Sequence, residues 1–399
     1  MKATTWRPEH SHNTERAGDI VIDWNDEQRA LRMSFEELSQ TLNSGYSDRE
    51  SRGEFPEHNW RVVADSGLLG LPFEREWGGL GRDLLTTMFV LEGMGYSSRD
   101  TGLNFSVTTH LVSLGVALQR YGNASQKRRY LPSVCDGRVI GAHAITEPEA
   151  GSDAMNMRST ARLDGETFIL DGTKSYVTNG PLADVFVVYA RTGREPGFRG
   201  ISAFLVDRST PGLAVGPPIT TMGLRTSPFG EITLDSCAVP ASQLLGRTGS
   251  GFLILEHVLA WEIFSVFATM LGEMDYRLAR CVNHATTRQQ FGAKLSSFES
   301  VSNKLVDAKI AVETSRKWLY DAAQRFARGK NATMDIAIAK LLTSEANINL
   351  ALTAIQLFGA RGYMVENGIE VGLRDAVAGT IYSGTSEMQR KRIATLLGL

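Results

Sequence analysis

The stretch 258–268, VLAWEIFSVFA, sets one carboxylate among bulky apolar neighbours. Trp261, Ile263, Phe264, Val266 and Phe267 surround Glu262, and at helical spacing they leave it almost no polar face. A solvated helix residue is the plain alternative. The neighbours argue against it, because a buried carboxylate is costly and is kept where it does chemistry, commonly as a general base.

A second stretch, 144–153, reads AITEPEAGSD. Thr146, Ser152 and the backbone NH groups around Gly151 could donate to an anion or to a ring carbonyl. The same residues could form an ordinary turn in which Ser152 or Asp153 caps a short helix. GTKS at 172–175 resembles the tail of a phosphate-binding P-loop, but Thr173 separates the glycine from the lysine and the upstream glycine is missing. No GxGxxG follows a strand and no βαβ alternation appears, which excludes a nicotinamide-binding Rossmann domain. The seven histidines show no HExxH or HxxxH spacing and the three cysteines are far apart, so no metal site is expected. Cys135, Cys237 and Cys281 form no disulfide framework either, which points to a reducing, cytoplasmic compartment.

These residues sit in a chain of three textures. Residues 25–142 read as helical, with DEQRALRMSFEELSQTL amphipathic and FPEHNWRVVADSGLLG carrying a Pro near its start and a Gly stop. Residues 143–249 hold short β-branched or aromatic runs, TFILDGTKSYV, DVFVVYAR, GISAFLVDR and EITLDSCAV, separated by turn signals. They predict a small antiparallel barrel or sandwich of the middle domain. Residues 250–399 turn helical again. Val301, Leu305, Ala308, Val312, Ser315, Leu319, Ala322 and Phe326 recur at heptad spacing, the seam of a helix bundle. The fold class expected is α+β, mostly α. Residues 1–24 read as a polar leader, disordered or extended, without the apolar core of a secretory signal.

The chain has 399 residues, 42% hydrophobic and 22% charged, with a formal net charge of −2. That balance suits a folded multi-domain protein and gives no electrostatic reason for nucleic acid or an anionic membrane as partner. No apolar run is expected to reach the length of a membrane span.

AITEPEAGSD, DGTKSYVTNG, TTRQQFG, QLFGARGY and IYSGTSEMQR occur in the order and at roughly the separations of the acyl-CoA dehydrogenase family, which the chain resembles from about residue 25 to its end. The resemblance implies an N-terminal helical domain, a middle β-barrel, a C-terminal four-helix bundle, bound FAD and a homotetramer built as a dimer of dimers. It implies that Ala144, Ile145 and Thr146 lie along the flavin edge. Ser152, beside Gly151, would serve a phosphate or the pantetheine arm. Tyr176 and Thr178 would lie by the reactive face, Tyr176 where many members carry Trp. Arg288 and Phe291 would reach the FAD of a neighbouring subunit, as would Gln356, Gly359 and Ala360. Thr385 and Glu387 would approach the adenosine end. Glu299 stands where the family commonly has Gln.

Many members carry their catalytic glutamate at the position of Ser383. Serine there keeps a backbone NH for the thioester carbonyl but loses the base. A minority place the base 26 residues before the arginine of RxxFG, and counting back from Arg288 lands on Glu262. Branched-chain members of that kind usually follow it with Arg; here Ile263 follows. WE, EPEAGSD, TKS and SGTSEMQ together look most like the subgroup that oxidises prolyl groups tethered to a peptidyl carrier protein, on a route to pyrroles in secondary metabolism. The expectation is therefore an FAD-dependent α,β-dehydrogenase of an acyl or aminoacyl thioester, carried by a carrier protein or by CoA. Glu262 would be the base, flavin N5 the hydride acceptor, and an electron-transfer flavoprotein or oxygen the final acceptor. The alternatives are a short- or branched-chain acyl-CoA dehydrogenase, a flavin monooxygenase on the same fold, and a non-catalytic FAD-binding homologue.

Overall fold

The computed structural model describes residues 23–193 and 197–399. The expected leader lies outside this range except at its end, where Trp24 is buried and stacks on Phe89 at 4.1 Å. Helices open where the sequence supplies caps. Asn25 accepts from the Gln28 NH at 2.9 Å while the Gln28 side chain accepts from the Asn25 NH at 3.0 Å, a reciprocal capping box that starts helix Asp26–Thr41. Asp83 and Asp100 cap Leu84–Ser97 and Thr101–His110 by accepting from the Thr86 and Leu103 NH groups.

The middle domain is one eight-stranded sheet: β1 Gly141–Ala144, β2 Thr160–Asp164, β3 Thr167–Thr178, β4 Val185–Arg191, β5 Ile201–Asp207, β6 Leu213–Val215, β7 Phe229–Pro240 and β8 Leu244–Leu245. Its order is β6-β7-β3-β2-β4-β5-β8, with β1 paired to β4. The end strands β6 and β8 do not pair with each other, so the sheet is an open path and the expected closed barrel is not formed by these pairings. It is also not purely antiparallel, since β1 runs parallel to β4. β4 is buried on both faces. Val185, Val187 and Tyr189 point to the helices, while Phe186, Val188 and Ala190 fill the core of the sheet domain. This double burial explains why DVFVVYAR reads as a continuous apolar run.

The C-terminal part is carried by four long helices, Gly251–Thr287, Glu299–Ala327, Thr333–Phe358 and Ser386–Leu396. The heptad seam lies on the second. Ala308, Val312, Ser315, Leu319 and Ala322 are buried, and Val301, Leu305 and Phe326 are partly covered. The first helix is long and apolar enough to cross a membrane by composition, which amends the expectation that no run reaches that length. Two thirds of its most apolar window is buried within the protein, as in a core helix. It crosses Leu84–Ser97 where both carry glycine. A Cβ on Gly95 would stand 1.9 Å from the Thr269 carbonyl oxygen, and one on Gly272 would stand 2.0 Å from that of Glu92. Only two glycines allow this approach, and it fixes the height of the helix that bears Glu262.

Candidate active site

Glu262 is 5% exposed, as its apolar neighbours predicted. Oε1 accepts a hydrogen bond from the Ser383 hydroxyl. Oε2 lies 3.2 Å from Nε2 of His143. The structure thus brings the middle domain, the long helix and the C-terminal turn to one carboxylate. Side chains alternate along β1, so Ala142 and Ala144 enter the sheet core while His143 faces the helices. Burial lowers the His143 pKa, with the Glu262 charge working the other way, so the imidazole is neutral at neutral pH. Sequence reading missed His143. The one available signal was its odd position in GAHAI, which in a strand this short becomes readable only once the sheet is known.

Ser383 sits in a tight turn. Its φ is +53° and that of Gly384 is +88°, so two successive residues adopt the left-handed region. The Gln389 side chain holds this shape by donating to the Ser383 and Gly384 carbonyl oxygens at 3.2 and 3.1 Å. Thr385 is the N-cap of the last helix and accepts from the Met388 NH at 3.3 Å. Among the described residues, the Ser383 NH has no backbone acceptor. Glu387 stands exposed in the first turn of that helix.

The segment 144–153 is tied down by a buried ion pair. Lys174 Nζ donates to Glu147 Oε1 at 2.8 Å and to the Ile145 carbonyl at 3.1 Å, while the Ser159 NH donates to Glu147 at 2.9 Å. Burial works against the Glu147 charge, but these donors, Lys174 foremost, keep its pKa below the usual range. The role of GTKS is therefore structural: its lysine anchors the EPEAGSD loop. The Ser175 NH donates to the Thr146 carbonyl at 2.8 Å, which sets Thr146 beside Tyr176 and Thr178. Tyr176 is 66% exposed on a left-handed backbone, and Thr178 ends β3 opposite Phe229. Ala144 is buried, Ile145 and Thr146 are partly covered, and Gly151 and Ser152 are exposed. Asp153 precedes a short 3₁₀ turn without capping it by its side chain. A line of rings joins these elements to the C-terminal turn. Phe229 stacks on Phe105 at 6.0 Å and Phe105 packs on Tyr382 at 4.9 Å.

Arg288, Phe291, Gln356, Gly359 and Ala360 do not reach this cluster. Arg288 caps the far end of the helix of Glu262, 26 residues after it, about 39 Å at the α-helical rise. Phe291 is 96% exposed at φ +52°, and Gln356, Gly359 and Ala360 are exposed as well. The two segments adjoin each other, since His284 stacks on Phe358 at 4.1 Å. Glu299 is exposed at the start of the second long helix.

Thr146, Tyr176 and Thr178 gather hydroxyls at the end of β3, the Ser383 NH lacks a backbone partner, and Glu262 is buried against the Ser383 turn; hydroxyl donors and a buried acid are groups that suit a flat, polar-edged ring. Three family models match in sequence: the N-terminal domain of acyl-CoA dehydrogenases over residues 25–138, the middle domain over 142–237 and the C-terminal domain over 249–398. An L-prolyl-[peptidyl-carrier protein] dehydrogenase of Pseudomonas fluorescens is 39% identical over 347 residues, 86% of this chain and 91% of that protein. The crystal structure of the prolyl acyl carrier protein oxidase AnaB is similar at a TM-score of 0.92 and 37% identity, covering 94% of this chain and all of that one. The structure of PigA with FAD and proline is similar at a TM-score of 0.92 and 36% identity, covering 95% and 99%.

Proposed function

Because the chain belongs to the acyl-CoA dehydrogenase family, we propose that it is an FAD-dependent α,β-dehydrogenase of a short acyl or aminoacyl thioester, prolyl-like and tethered to a carrier protein. The observation that carries the mechanism is the buried carboxylate of Glu262 facing the Ser383 turn. Relatives named for prolyl-carrier substrates, and PigA solved with FAD and proline, support the substrate class and the cofactor.

FAD, when bound, supplies the hydride acceptor. Thr146, Tyr176 and Thr178 would hold its ring, Gly151 and Ser152 the phosphate or pantetheine side, and Thr385 and Glu387 the adenosine side. Arg288, Phe291, Gln356, Gly359 and Ala360 would serve the FAD of a neighbouring subunit, which fits their exposure and distance and makes the active assembly a homotetramer. Glu262 removes the α-proton of the thioester. The Ser383 NH holds the carbonyl oxygen as negative charge develops on it, the use of an unspent backbone donor. Phe105, Phe229 and Tyr382 crowd the space by the turn and exclude water, which suits a compact acyl group. Electrons leave to an electron-transfer flavoprotein or to oxygen. A cytoplasmic location goes with the reading, and the three cysteines, all buried and unpaired, are compatible with it.

Anaerobic mixing with prolyl-loaded carrier protein or with short acyl-CoAs tests the function. Loss of flavin absorbance is expected with the loaded carrier, and Glu262→Gln should abolish it while FAD stays bound. Bleaching that persists in Glu262→Gln removes the assignment of the base. Bleaching by acyl-CoAs alone transfers the substrate to coenzyme A.

A further inference from the structure

A buried carboxylate needs partners for both oxygens, and a base must be aimed at its substrate. Glu262 has one certain donor, the Ser383 hydroxyl on Oε1. That donor occupies an oxygen that faces the turn where the thioester carbonyl would lie, so it has to yield during the reaction. The other oxygen, Oε2, lies away from the turn against β1; it is buried without a hydrogen bond among the described residues, and His143 Nε2 stands 3.2 Å from it. Building on Glu262 as the base, we propose that His143 is a positioning residue. A small turn of its ring brings Nε2–H onto the unpartnered Oε2 and keeps the carboxylate aimed, while Oε1 exchanges the Ser383 hydroxyl for the substrate α-hydrogen.

The surroundings support this tautomer. A neutral imidazole beside a carboxylate must present N–H, not a lone pair, and that leaves Nδ1 as the bare nitrogen. Nδ1 is buried and has no hydrogen-bond partner among the described residues. The other titratable groups around the pair are neutral. Tyr189, on the same face of β4, has a buried hydroxyl without a partner, and burial followed by the Glu262 charge holds its pKa far up. Tyr382, from the turn, is held up by burial and then by Glu273 and Glu262. Glu273 lies three turns further along the same helix. Among these, Glu262 is the charged group that acts on His143. The pair is therefore a carboxylate oxygen without a partner facing a single neutral imidazole from the opposite domain. After proton removal Glu262 is a neutral acid, and Oε2 still accepts from the same N–H.

The test compares His143→Phe, which keeps a ring and removes the donor, with His143→Gln, which keeps a donor. FAD content, thioester affinity and the rate of anaerobic flavin reduction by prolyl-loaded carrier protein are measured from pH 5.5 to 9.5. For His143→Phe the rate at pH 7 should fall about 10- to 100-fold, and the midpoint of its rise with pH should move up by about one unit or more. Affinity and FAD content should stay close to those of the parent, and His143→Gln should bring the midpoint back. An unchanged midpoint in His143→Phe overturns the proposal, as does a His143→Gln variant no better than His143→Phe. Should His143→Phe lose FAD, the unsubstituted protein decides. Its ¹⁵N-histidine spectrum should show His143 as the Nε2–H tautomer and should change in Glu262→Gln. An Nδ1–H tautomer overturns the proposal. Failure of the base itself reads differently, as bleaching that survives Glu262→Gln.

Discussion

Glu262 illustrates how far one residue can be read from its neighbours. A charge in WEIFSVF announces itself because every other side chain of that stretch except Ser265 is apolar, and it is buried as the pattern requires. Its two partners are hidden for different reasons. Ser383 is visible as a departure from a motif, yet its hydroxyl is engaged by the carboxylate, a contact that depends on the left-handed turn and on Gln389 holding it. His143 stands in a four-residue strand, too short for period-two patterning to assign a face. The two donors differ in what they should do. The Ser383 hydroxyl must leave Oε1 for the reaction to occur, while its backbone NH remains. Ser383→Ala should therefore keep flavin reduction within about tenfold of the parent, since one neutral hydrogen bond nets only about 1 kcal/mol. Single-turnover reduction rates check this. A loss as deep as that of Glu262→Gln would make the hydroxyl part of the chemistry.

Among the elements, the long ones were legible and the short ones were not. The heptad seam on Glu299–Ala327 and the helix break at ARGKNATMD follow from spacing and from a glycine stop. The four strand runs read from the sequence are strands. The short β1, β2, β6 and β8 carry too few residues for a pattern, and β1 and β8 take their partners from distant sequence. Asp171–Gly172, inside the run TFILDGTKSYV, is a register shift within β3, where Gly172 at φ +146° passes close to Ser159. The crossing at Gly95 and Gly272 was also invisible, since a glycine inside a helix reads as a weakness until the second helix is in place. It matters because it sets the height of Glu262 against the sheet. A Cβ on residue 272 meets a carbonyl, which no rotamer change relieves. Gly272→Ala should lower stability by about 2–3 kcal/mol or more, in line with overpacking of a tight core. Thermal unfolding of the FAD-loaded protein measures it, and a variant as stable as the parent would show that the two helices can separate at little cost.

Across the whole molecule, buried charge is placed in two ways that respond oppositely to pH. Glu92 sits among Arg316 at 3.1 Å, the Tyr320 hydroxyl at 2.7 Å and Arg32 at 4.0 Å, and Arg316 also pairs with Asp275 and Glu313. This network joins helices Asp26–Thr41, Leu84–Ser97, Gly251–Thr287 and Glu299–Ala327. Burial opposes the Glu92 charge, but Arg316 and Arg32 outweigh it and its pKa is lowered. Its contribution is present above the ordinary carboxylate range and is lost as pH falls through the lowered value. Glu273 and Asp375 behave in the opposite sense. They line one small cavity with Asn347, Thr269 and Tyr382, and burial pushes Glu273 up to about 8 and Asp375 up to about 6. An acid raised in the folded state favours folding while it is protonated, and that contribution fades as pH rises through those values. The two effects leave a stability maximum on the mildly acidic side of neutrality. The unfolding temperature should decline from about pH 5.5 to 8.5, across the window set by the Asp375 and Glu273 shifts. Glu273→Gln, neutral at every pH, should flatten the upper part of that decline and leave the acid limb, which belongs to Glu92, unchanged. Calorimetry of parent and variant at half-unit steps resolves the two limbs. A parent curve level from pH 6 to 8.5, or a variant with the same slope, would mean that Glu273 is already ionised in the folded chain and that Arg277 beside it neutralises the charge.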